Sequence, residues 1–294
     1  MRFLFKTLFL TTVLGTVVSI VDGVVRNDDL LVRWSFDEGN GTVAQDVTGS
    51  GVDATIKGNA QWSSGISRSA LDLSGNSGWA QAGPHENLKG KPEHTIALWF
   101  KSMATQQGWS QLLCKREDLF SYYFIQFDEG GNTANAYYRF QAKYLDGGAF
   151  TIAHGSWNHL VATYDGKRFK TYLNGRTVGS VNETKNIDQD DGLLGIGATP
   201  EGGDVFDGLI DDVRLYEIAL SFDEIVVAYG DGMGDFGPSV EINATRATHT
   251  QPIPVSITFR DNAGNDANVS GFQAQKIKVR GGVVQNFTPT DVNA

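Results

Sequence analysis

The sequence predicts an all-β protein built as two stacked antiparallel sheets, and three observations predict it. Glycine is abundant, with 35 in 294 residues, aromatic residues make up 11%, and no long stretch carries a helical period. Short apolar runs alternate with turn signals along most of the chain. Two dipeptides suited to tight reversals, Asp165-Gly166 and Asn174-Gly175, separate three such runs and predict three consecutive antiparallel strands joined by type I′ turns.

The runs fall at Leu30 to Phe36, Ser69 to Leu73, Thr95 to Lys101, Trp109 to Lys115, Ser121 to Phe127, Asn135 to Tyr144 and Trp157 to Tyr164. In Thr95 to Lys101, Ile96, Leu98 and Phe100 share one face, and Ala97 and Trp99 share the other. Both faces are apolar, as an inner strand requires. Trp34, Trp99 and Trp157 read as core. One helix is expected from about Phe222 to Tyr229, because Ser221 and Glu224 make an S-x-x-E capping box ahead of an apolar run.

The ends have a different character. Met1 to Gly23 has a basic head with Arg2 and Lys6, an apolar stretch from Leu8 to Ile20 and a small residue at Gly23, the pattern of a secretory signal peptide. The apolar stretch is too short for a spanning helix, so a secreted or cell-surface protein with no membrane span is expected. The glycine-rich stretch before Pro238 marks a linker. The expected organisation is a signal at 1–23, a main domain at 24–230, a linker at 231–238 and a partial second domain at 239–294, with further domains C-terminal to it. Four more runs lie in that last part, at Val240 to Ile242, Pro254 to Phe259, Lys276 to Val279 and Val283 to Phe287.

The formal net charge is −10, one unit more negative once Arg2, Lys6 and Asp22 are gone, and no basic run is present. Such a surface repels phosphate backbones, so nucleic acid is not an expected partner. The single cysteine, Cys114, cannot close an intrachain disulfide and reads as a packed thiol.

The segments Trp34-Ser-Phe-Asp-Glu-Gly-Asn-Gly, Trp157-Asn-His-Leu-Val-Ala-Thr-Tyr-Asp-Gly, Lys170-Thr-Tyr-Leu-Asn-Gly and Phe206-Asp-Gly-Leu-Ile-Asp-Asp-Val-Arg-Leu-Tyr, followed by the Ser221 helix, resemble laminin G-like domains in content and order. The resemblance spans Leu30 to Gly230 and implies a concanavalin A-like jelly roll. The tail resembles the opening of a bacterial immunoglobulin-like repeat, through Pro252-Ile-Pro-Val-Ser-Ile-Thr-Phe and Ile277-Lys-Val-Arg-Gly-Gly. Together these imply a binding or adhesion module for a glycan or an extracellular protein. The alternatives are an accessory carbohydrate-binding domain of a larger secreted enzyme and a structural spacer.

Jelly rolls of this kind also include glucanases, whose two carboxylates ride on one strand as Glu-x-Asp-x-Glu or with one extra residue. No glutamate here is followed by that pattern, so no catalytic residues are expected. His154 and His159 are an odd number of positions apart, which on a strand sends them to opposite faces, so they read as surface or strand-end histidines rather than zinc ligands. Asp188-Gln-Asp-Asp-Gly lacks the later ligands of an EF-hand loop and reads as a solvated acidic turn.

The resemblance implies a structural calcium ion joining the first strand to the last. The matching positions are Asp37 and Asp211, with Asp46 or Asp212 as helpers. The alternative is that these carboxylates make ordinary turn and interstrand hydrogen bonds. Sugar rings stack on aromatic side chains, and Trp79, Trp109, Tyr122 and Tyr137 are the ligand-binding candidates, each near a strand end or a polar loop. Core packing is the alternative for each of them. Sequons at Asn40, Asn182, Asn243, Asn268 and Asn286 are read as chance occurrences.

Overall fold

The computed structural model describes residues 17–18, 29–75, 78–232, 239–244, 255–260 and 279–280. The chain divides into two compact units, residues 25–234 and residues 1–24 with 235–294. Strand β1 (Val17–Val18) belongs to the smaller unit. The larger one begins with β2 (Leu30–Trp34), β3 (Val43–Ala44), β4 (Ala54–Gly58), β5 (Gln61–Ser64), β6 (Ser69–Asp72) and β7 (Gly78–Ala82). It continues with β8 (His94–Ser102), β9 (Gln111–Glu117), β10 (Phe120–Phe127), β11 (Thr133–Phe140) and β12 (Lys143–Thr151). It ends with β13 (Asn158–Tyr164), β14 (Arg168–Leu173), β15 (Arg176–Asn182), β16 (Leu193–Ile196), β17 (Gly208–Tyr216) and helix α1 (Phe222–Gly232).

These strands form two antiparallel sheets. Sheet I has the order β12-β11-β10-β9-β16-β7-β4-β3, and sheet II the order β15-β14-β13-β8-β17-β6-β5 with β2 also paired to β17. Their inner faces enclose one apolar core that includes Trp34, Leu98, Phe100, Tyr123, Tyr138 and Phe206. This is the two-sheet sandwich with one short helix that the composition and alternation predict.

Helix α1 packs on the outer face of sheet II. Its Ile225 and Ala228 pack on Ala97, Val161, Tyr172 and Tyr216, and its Tyr229 stacks on Trp99 at 5.4 Å. The two-sided apolarity of β8 therefore has two causes: Ile96, Leu98 and Phe100 face the other sheet, while Ala97 and Trp99 face the helix. The helix starts as the capping box requires, with the Ser221 N–H donating to Glu224 Oε2 at 2.7 Å and the Glu224 N–H to Ser221 Oγ at 3.3 Å.

Several local expectations change. Asn174 and Gly175 both have positive φ, at 50° and 71°, as a type I′ turn demands, but at the other hairpin only Gly166 does. There the Asp165 carboxylate accepts from the amides of Lys167 and Arg168, so a side chain caps the turn instead. The run Asn135 to Tyr144 is two strands, broken by a turn in which Gln141 and Ala142 have φ of 47° and 62°. Neither residue signals a turn; both amides donate to the carboxylate of Asp188, at 2.7 and 2.8 Å. Asp188 and Asp190 are thus structural anchors, and the reading of their segment as a solvated turn is wrong. His159 is buried and stacks on Trp99 at 4.8 Å rather than lying at the surface, and Trp157 is only half-buried.

In the smaller unit β18 (Ser239–Ala244) pairs with β19 (Val255–Arg260), and β1 pairs with β20 (Val279–Arg280), both antiparallel. These are the strand pairs among the described residues of this unit, and the immunoglobulin-like reading of the tail is not supported. Apart from Val17–Val18, the expected signal lies outside the described residues, as do positions 233–238 of the expected linker and the run Val283 to Phe287. No helix among the described residues is long and apolar enough to cross a membrane.

Candidate functional site

Helix α1 packs on the middle of sheet II, whereas among the described residues no helix lies on the outer face of sheet I. Residues directly opposite each other in a ladder share a face. The register therefore lines up Thr55, Gln81, Gly195, Cys114, Phe124, Tyr137 and Asp146 in a row across seven strands.

The row is covered at one end. A side chain at Gly195 would collide with the backbone of residues 198–200, so the loop after β16 lies on the face there. Trp79, on that part of the face, donates from its indole nitrogen to the Pro200 carbonyl at 3.2 Å, and its ring lies against Gly202. Trp79 is therefore held by this loop, through both its indole nitrogen and its ring. Cys114 is buried, and burial pushes its thiol up to about 11, as an inert packed cysteine should be.

The other end, over β10, β11 and β12, is open and aromatic. Tyr137 stacks on Phe124 at 4.7 Å, and the Tyr144 ring meets the same Phe124 edge-on at 5.4 Å. Arg139, opposite Tyr144, holds its guanidinium over both the Phe120 and Tyr122 rings, at 4.9 and 5.1 Å. Phe120 is 53% exposed and Tyr144 48%, so their rings are available, whereas Tyr122 is only 9% exposed and serves as support. Polar groups flank the rings: Asn135 donates to Asp146 Oδ2 at 2.7 Å, and Gln111 donates to Gln126 at 2.9 Å. Trp109, 50% exposed with a φ of 71°, stands in the loop at the far end of β10, its amide bonded to the Asp128 carbonyl. The eight residues of β10 run roughly 25 Å from Phe120 to the loop that holds Trp109.

Of the four aromatic candidates, Tyr137 belongs to this strip, Tyr122 supports it from beneath, and Trp109 stands exposed in the loop at its far end. Tyr144 was missed for a reason that the register makes plain. A single strand from Asn135 to Tyr144 would send Tyr137 and Tyr144 to opposite faces, and the turn at Gln141-Ala142 puts them on the same one.

The four carboxylates proposed for calcium divide in two. Asp46 accepts from the Arg33 amide and from both the amide and hydroxyl of Thr48 and of Ser50, at 2.6 to 3.1 Å. Against the upward push of burial, these hydrogen bonds hold its carboxyl below the usual range. Asp212 faces the guanidiniums of Arg33, at 2.7 Å, and Arg214, at 2.5 Å; against burial, these charges hold it down at about 2. Both are committed to protein partners and do not fit an added cation.

Asp37 and Asp211 are different. Asp37 Oδ1 is buried with no partner, and burial raises its carboxyl despite Arg68 nearby. Asp211 is buried and accepts from the Ile66 amide at 2.9 Å; burial, with the charge of Asp212, pushes it up to about 8. Such a pair fits a hard cation, which would supply the missing partner. No group of three His, Cys, Asp or Glu side chains converges among the described residues, so further ligands would have to be carbonyls or water.

The chain belongs to the concanavalin A-like lectin/glucanases superfamily, whose Laminin_G_3 model matches residues 74–226. No curated protein matches it. Among solved structures it is similar to domain 4 of AbnA, an extracellular GH43 arabinanase from Geobacillus stearothermophilus in complex with arabinotriose, at 21% identity and TM-score 0.55, over 68% of this chain and 97% of that one. It is similar to the binding domain of Paraclostridial Mosquitocidal Protein 1, at 14% identity and TM-score 0.59, over 79% and 64%. The binding domain of Botulinum Neurotoxin DC in complex with SialylT aligns at 13% identity and TM-score 0.57, over 71% and 53%. The chain thus spans between half and two thirds of these toxin domains, and at such identities the likeness is one of fold.

Proposed function

We propose that this chain is an exported, non-catalytic binding module that takes a glycan along the outer face of sheet I. One observation carries the reading. The outer face of sheet I, which carries no helix among the described residues, presents half-exposed aromatic rings beside the exposed Asp146 carboxylate and the half-buried Gln126 carboxamide, and these are the two chemistries a sugar ring requires, an apolar platform for its C–H face and hydrogen-bonding groups for its hydroxyls. Two proteins of similar fold are seen with arabinotriose and SialylT, which supports a glycan as ligand. The absent glucanase motif supports binding without turnover.

The test is calorimetric titration of the full chain against a panel of arabinan, other polysaccharides and sialylated oligosaccharides. Tyr144→Ala and Tyr137→Ala should each weaken binding roughly tenfold, while Val178→Ala on sheet II should not. Binding unaffected by both tyrosine variants, or release of reducing ends by the wild type, would refute the reading. A protein partner is the second reading, favoured by the exposure of Leu119 (80%) beside Phe120 at the β9–β10 turn. It predicts a partner lost on Leu119→Ser with glycan binding absent.

A calcium ion between Asp37 and Asp211 is part of the proposal, supported by the unpartnered Asp37 Oδ1. Calcium at a hundredfold excess over its dissociation constant should stabilise the wild type by about 2.7 kcal/mol, and Asp37→Ala should abolish the effect. Melting curves indifferent to calcium and chelator alike would remove the ion.

A further inference from the structure

Lys115 occupies an unusual place in the fold. Its register partners on both sides, Tyr123 and Leu194, point into the apolar core, and so does the lysine. Its side chain is 1% exposed and touches the carboxylate of Asp190, which is 0% exposed. Nζ also donates to the Gly192 carbonyl at 2.7 Å, and Asp190 Oδ1 also accepts the Gly192 amide at 2.9 Å. Asp190 Oδ2 is buried without any partner. A buried ion pair offsets its desolvation only when the remaining lone pairs are satisfied, and here one oxygen is not.

We propose that Lys115 and Asp190 condense into an intramolecular isopeptide bond. Nζ attacks Cγ; Oδ1 stays as the amide carbonyl oxygen, held by the Gly192 amide. Oδ2 leaves as water, carrying two of the three ammonium protons. The remaining N–H keeps the Gly192 carbonyl as its acceptor. No electrons change hands and no co-reactant is consumed. The fold holds the Lys115 amine against the Asp190 carboxylate, beside an amide donor that polarises it. The product replaces two buried charges and an unsatisfied oxygen with one neutral, hydrogen-bonded amide. The bond would join β9 to the segment entering its neighbour β16, across a separation of 75 residues, in a chain whose one cysteine can form no internal disulfide.

The test is mass spectrometry of the purified full chain, intact and after tryptic digestion under denaturing conditions. The expected wild-type product is lighter than its processed sequence by one water, resists cleavage after Lys115, and yields a branched peptide containing Lys115 and Asp190. Lys115→Arg, which keeps the charge but cannot condense in this way, and Asp190→Ala should both show the unmodified mass. Recovery of Lys115 and Asp190 in separate linear peptides from the wild type would overturn the proposal. Loss of water without the branched peptide would overturn it too, since a succinimide at Asp191-Gly192 accounts for the mass alone.

Discussion

Acid should unfold the larger unit through two histidines. His94, at the start of β8, bonds through Nδ1 to the Tyr138 hydroxyl at 3.1 Å, and its Nε2 is buried without a partner. His159, in β13, lies between sheet II and α1, its Nδ1 also unpartnered. Burial lowers both from 6.5 to about 3, with a smaller contribution from Lys91 at His94 and from Arg214 at His159. The unfolded chain therefore binds more protons than the folded one between about pH 3 and 6.5. Stability from these groups is fully present above pH 6.5 and is lost as pH falls through that window. A displacement of about 3.5 units corresponds to about 5 kcal/mol per histidine, and the slope is about 1.4 kcal/mol per pH unit for each. Two such groups together rival the whole stability of a typical domain, roughly 5 to 15 kcal/mol. Urea unfolding followed by tryptophan fluorescence from pH 4 to 8 reads this directly. His159→Phe keeps an aromatic ring against Trp99 and should halve the slope contributed by the pair. If variant and wild type lose stability in parallel down to pH 4, His159 is not excluded from protons in the way its burial demands.

Removing the Asp188 carboxylate by Asp188→Ala should destabilise the domain by about 2 kcal/mol, because the amides of Gln141 and Ala142 lose a charged acceptor. An unchanged urea midpoint would mean that the β11–β12 turn holds itself. Asp212→Ala leaves the buried Arg214 and the neighbouring Arg33 without their shared carboxylate and should cost about 3 to 5 kcal/mol; the paired change Asp212→Leu with Arg214→Met should recover most of it. Equal losses in the single and double variants, measured by thermal unfolding, would show that the ion pair itself is not what matters there.

The sequence by itself determined the layered all-β architecture, because a two-residue period and local turn chemistry need no distant partner. Asn174-Gly175 adopts its turn from its own φ preferences, and Ser221 with Glu224 starts the helix from within four residues. The two apolar faces of β8 were equally legible, although only the fold shows that one of them meets a helix. Tertiary structure decided the rest, where the cause lies far away in the chain. The turn at Gln141-Ala142 exists because Asp188 reaches it across 46 residues, and that turn sets which face Tyr144 joins. Sheet I also inserts β16 between β9 and β7, an order that no local pattern encodes. A lysine or an aspartate in the sequence is by default a solvated charge; only packing shows that Lys115 and Asp190 have been taken out of water together, and that Asp46 and Asp212 already have the partners a cation would have replaced.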